Sequence, residues 1–83
     1  MIYKTTDSAY ATVFKTLQYP YLGCEVVIKS NGKSNVEFHF DMPTEERPKE
    51  IIRDFENHQL PLDSKDLLEE LKFIRKEIYA SKN

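Results

Sequence analysis

Few residues in this chain have side chains that could do chemistry. His39 and His58 are its only two histidines. His39 stands two positions from both Glu37 and Asp41, a spacing that puts imidazole and carboxylate on one face of a strand. Zinc-type sites need a frame such as HxxxH or paired CxxC, and neither is present, so no metal is expected. His39 then reads as a surface strand residue and His58 as a loop residue. Cys24 is the single cysteine. A nucleophilic thiol needs a base and an electropositive, accessible setting. The neighbours expected for Cys24 are apolar, which predicts a buried structural thiol. The carboxylate pairs Glu45-Glu46 and Glu69-Glu70 occupy adjacent positions and diverge around a helix. Gly23 and Gly32 are too far apart for a phosphate loop, and no serine sits in a nucleophile elbow. The reading is a non-enzymatic protein with no catalytic residue and no cofactor.

Charge narrows the partners. Residues 1–43 carry four positive and four negative side chains, and residues 44–83 carry eight and ten, so neither half is basic. Phosphate-binding proteins usually show a basic patch or stripe, and this balance argues against nucleic acid. That alternative would need Lys4, Lys15, Lys29 and Lys33 to cluster at one end. The five tyrosines are dispersed rather than interleaved with basic residues, and Tyr10 belongs to a core stripe. No apolar run approaches the roughly 18 residues of a membrane span. A basic region followed by an apolar one is missing at the N-terminus, and one cysteine permits no internal disulfide. These features together predict a cytoplasmic protein without a membrane partner.

The elements that must position these residues are organised around Leu22 to Phe40, where two β-patterned runs flank Asn31-Gly32. Alternation places Leu22, Cys24, Val26 and Ile28 on one face of the first strand and Val36, Phe38 and Phe40 on one face of the second. A two-residue turn would set Glu25 opposite Phe38. A three-residue loop, Ser30 to Gly32 with Gly32 left-handed, pairs Val26 with Val36 and Cys24 with Phe38 and keeps the apolar face continuous. Glu25, Val27, Lys29, Asn35, Glu37, His39 and Asp41 are left facing water.

Met1 to Lys4 predicts a short strand beside this hairpin. Thr5-Thr6-Asp7 caps a helix with the stripe Tyr10, Val13, Phe14 and Leu17, ending near Gln18 before Pro20. A second helix begins between Thr44 and Arg47 and runs to about Asn57, with Ile51, Ile52 and Phe55 inward. The last opens at Asp63-Ser64 and runs to about Ala80 on the stripe Leu67, Leu71, Ile74 and Ile78. The order β-α-β-β-α-α predicts a single α+β domain over residues 1–83, a small antiparallel sheet with helices packed on one face.

On this last helix Phe73 falls roughly 100° from the nearest stripe residue, among Glu69, Lys76 and Glu77. These four residues are the expected partner interface, through which the chain would form a two-fold homodimer or dock on another protein.

The chain resembles a small family of uncharacterised domains found mostly in phage and prophage genomes. The likeness rests on Thr6-Asp7 opening a helix with Ala9, Tyr10, Ala11 and Phe14, on Phe38-x-Phe40, on Phe55, and on Leu62-Asp63 before a Leu- and Lys-rich helix. It implies a phage or prophage accessory protein without catalytic residues, acting by binding a protein whose identity the sequence does not name.

Overall fold

A computed structural model describes residues 1–82. Its elements are β1 (Ile2–Thr5), α1 (Ser8–Thr16), β2 (Tyr21–Ile28), β3 (Ser34–Asp41), α2 (Glu46–Glu56) and α3 (Ser64–Lys82). The three strands form one antiparallel sheet in the order β1-β3-β2, and the helices pack against it. This is the α+β architecture that the sequence predicts. Both outer strands run antiparallel to β3, so α1 carries the chain across the sheet and leaves room for β3 between β1 and β2.

Local chemistry sets the helix starts. The Asp7 carboxylate accepts hydrogen bonds from the Ala9 and Tyr10 amides at 2.8 and 3.0 Å, satisfying two of the donors that an α-helix leaves free at its start. Thr44 Oγ1 accepts from the Arg47 amide and Asp63 Oδ1 from the Asp66 amide. Pro48 is buried near the start of α2, where its missing N–H costs nothing. Tyr10 donates to Glu56 and Arg47 to Tyr19, each at 2.7 Å, tying α2 to α1 and to the segment after it.

The hairpin register is the expected one. Cys24 pairs with Phe38 and Val26 with Val36. Lys29 and Lys33 close the loop through a 2.8 Å bond from amide to carbonyl, and Gly32 takes φ +81°. At the other end of β2 the expectation fails. Register shifts between Tyr21 and Gly23, and Gly23 has φ +114°. A Cβ there would meet no atom within 4 Å, so the backbone conformation rather than space favours glycine. This bulge reverses the alternation beyond it. Tyr21 turns inward to Phe40, with ring centroids 5.3 Å apart, and Leu22, expected in the core, is 52% exposed.

The core is Ala11, Val13, Phe14, Val36, Phe38, Phe40, Met42, Ile51 and Ile74. Its centre is aromatic: Phe14 meets Tyr3 and Phe40 edge-on at 5.6 and 5.5 Å. Thr12 is buried deeper than its hydroxyl suggests, because Oγ1 donates to the Ser8 carbonyl at 2.7 Å.

Candidate functional site

Two surfaces of the hairpin combine chemistry or docking potential with accessibility. The first lies on the sheet face away from the helices. Glu25 stands directly opposite Glu37 across β2 and β3. Like charges in that relation are destabilising. His39, two residues along β3, stands beside the pair: its Nε2 is 3.0 Å from Glu37 Oε1, within hydrogen-bond distance, and 3.6 Å from Glu25 Oε1, beyond it. One imidazole N–H donated to Glu37 suffices for the shorter contact. The ligand-capable atoms of Glu25, Glu37 and His39 lie within 4.8 Å of one another, which makes them the residues that could hold a divalent cation. The hydrogen bond between His39 and Glu37 is explained without one. Asp41, considered with His39 in the sequence, instead pairs with the N-terminal ammonium at 3.1 Å.

The second surface is the outer edge of β2. Among the described residues no backbone hydrogen bond joins Cys24 to Ile28 to anything beyond β3. In an antiparallel ladder, the residues of one strand bond alternately to either side. The Lys29–Lys33 bond places Lys29, and with it Val27 and Glu25, on the β3 side. The amides and carbonyls of Cys24, Val26 and Ile28 therefore point outward. Val26 and Ile28 lie on the helix side of the sheet, in line with the core, yet they are 45% and 79% exposed. The sequence places them in the core; the helices do not extend over this end of the sheet. Cys24, expected to be buried among apolar neighbours, is half-buried instead, with its thiol 3.3 Å from Ser81 Oγ.

The interface expected on α3 has a different character. Phe73 is 37% exposed and packs edge-on against Tyr21 at 5.5 Å, while Lys15 Nζ sits 4.3 Å from its ring centroid. Lys15 also pairs with Glu70 at 2.9 Å. Glu77 accepts from the Tyr21 hydroxyl at 2.9 Å, whereas Glu69 and Lys76 remain exposed. The inward turn of Tyr21 at the Gly23 bulge explains this arrangement, because it brings an aromatic partner beneath Phe73. Burial, the main cause, together with hydrogen bonding to Cys24 and then Glu77, raises the Tyr21 pKa above the ordinary tyrosine value.

The four lysines of the nucleic-acid alternative are not brought together. Lys15 is held between α1 and α3, Lys4 lies opposite His39, and Lys29 and Lys33 close the hairpin. Lys33 is six residues from His39, about 20 Å along an extended strand. His58 is an exposed loop residue with φ +57°. A cleft lined by Val13, Phe55, Leu68 and Leu71 carries no titratable group. Among the described residues no helix is long and apolar enough to cross a membrane. Comparison with family models, curated proteins and solved structures finds no match to the chain.

Proposed function

We propose that this domain is a non-enzymatic protein-binding module of the cytoplasm, an accessory protein of the kind that the resemblance to phage and prophage domains implies. Its docking element is the outer edge of β2. The observation that carries this reading is the exposure of Val26 and Ile28 beside outward-facing backbone groups. Apolar side chains and unpaired amides on one edge are what an added strand uses: the ladder supplies affinity, and alternate side chains supply specificity.

The test is hydrogen exchange on the isotopically labelled domain with a partner captured from extract and then purified. Binding through β2 slows exchange of the Val26 and Ile28 amides and is abolished by Ile28→Lys, which changes an already exposed position. A purified partner that binds Ile28→Lys as well as wild type and leaves both amides unprotected would overturn the proposal.

A further inference from the structure

We propose that the strand received by β2 is β2 of a second copy, paired antiparallel about a two-fold axis at Val27. The proposal rests on reading β2 as a docking edge and goes further by naming the occupant and the register. The free segment is bounded at both ends. The Gly23 bulge distorts one end, and the Ser30–Gly32 loop closes the other. Cys24 to Lys29 lies between them, with Val26 and Val27 at its centre.

Hydrogen bonding, apolar contact and charge are met together about this one axis. Outward-facing residues must meet outward-facing residues, which restricts the pairing to even-numbered residues opposite even-numbered ones. About Val27, Val26 meets Ile28 of the second copy and Ile28 meets its Val26, covering the two exposed apolar side chains on the helix side of the sheet. On the opposite face, Glu25 meets Lys29 of the second copy and Lys29 meets its Glu25, with the two Val27 side chains between them. Moving the axis to Val26 sets Glu25 against Val27 and Lys29 against Gly23. Moving it to Glu25 sets the two glutamates against each other, a like-charge pair that a sheet disfavours. Only the Val27 axis matches hydrogen bonding, apolar contact and charge together. The product is a six-stranded antiparallel sheet with the helices of both copies on one face. Strand segments this short bury less than the about 1,200 Å² at the low end of stable interfaces, so dissociation on the order of 100 µM is expected.

The charge pairing gives the test. Glu25→Lys puts lysine opposite Lys29 of an identical copy, and Lys29→Glu puts glutamate opposite Glu25. Each variant alone dimerises roughly tenfold more weakly than wild type in sedimentation equilibrium. An equimolar mixture of the two places opposite charges at every position and recovers the wild-type constant. In parallel, Val27→Cys in a Cys24→Ala background forms an interchain disulfide on mild oxidation, because a non-hydrogen-bonded pair on the axis has Cα atoms about 4.5 Å apart. Circular dichroism of each variant confirms that it is folded.

A wild-type protein that stays monomeric to roughly millimolar concentration, a mixture no tighter than its components, or no disulfide at Val27 overturns self-pairing. In those cases protection of the Val26 and Ile28 amides by a different purified protein keeps the docking edge and removes only the second copy as its occupant. Protection of those amides in dilute monomer removes both.

Discussion

The two ends of the β2–β3 hairpin follow the same alternation of residues and meet opposite fates. At the end near Tyr21, the Phe38 and Phe40 side chains are sealed beneath helices, with Phe14 and Tyr21 against Phe40 at 5.5 and 5.3 Å. At the loop end, Val26 and Ile28 continue the same apolar row into solvent. Apolar patterning therefore does two jobs here. Where a helix covers it, the row is core and contributes stability. Where none does, it is an exposed apolar surface beside an unpaired strand edge, the combination on which the proposed docking rests.

Substitutions at the two ends should separate these roles. Phe40→Ala should cost about 3–5 kcal/mol, read by chemical denaturation, because it removes a fully buried ring from the aromatic centre. For a domain of this size that approaches the whole of its stability. Tyr21→Phe comes next, at about 1 kcal/mol near neutral pH through loss of the bond to Glu77. Its pH dependence is more telling. The folded pKa of Tyr21 is raised, so its contribution is fully present below the unfolded value and is lost as pH rises above about 10. Wild type should lose its advantage over Tyr21→Phe in urea melts as pH climbs through that range. A constant difference would show that Tyr21 is not held in its neutral form.

At the loop end, Ile28→Ala should change the stability of dilute monomer by no more than about 0.5 kcal/mol. A loss comparable to that of Phe40→Ala would show that this end is covered after all. The smallest effect belongs to the open face. Glu25→Gln removes one of two opposed carboxylates while His39 still bonds Glu37, and it should raise the denaturation midpoint by an amount equivalent to about 0.2–1 kcal/mol. A loss of stability would mean that the His39 imidazole gains more from two glutamates than their repulsion costs.

Much of the fold was legible because parity is a strict constraint: burying Phe38 and Phe40 together with Cys24 excludes the two-residue Asn31-Gly32 turn. The helix starts were legible from Asp7, Thr44 and Asp63. Alternation alone does not reveal the Gly23 bulge, since Leu22 and Tyr21 serve it equally well. The available signal was a glycine inside a strand pattern, which often marks a bulge. Reading it would have brought Tyr21 inward and Phe73 toward it. The exposure of Val26 and Ile28 has no local signature, because it depends on how far helices from elsewhere in the chain extend. The Glu25–Glu37–His39 cluster was implicit in the register itself. Pairing Cys24 with Phe38 already sets Glu25 against Glu37, and only the role of His39 between them needed coordinates.

Amide exchange in dilute wild-type protein tests most directly whether β2 presents the free edge on which the proposed docking depends. Val27 and Glu25, bonded toward β3, should exchange slowly, while Val26 and Ile28 between and beside them exchange at rates close to those of an unstructured chain. This odd–even alternation should fade as protein concentration rises into the dimerising range. Equal protection of all four amides at the lowest concentration would contradict the account, because it would mean that the edge is already closed within a single chain.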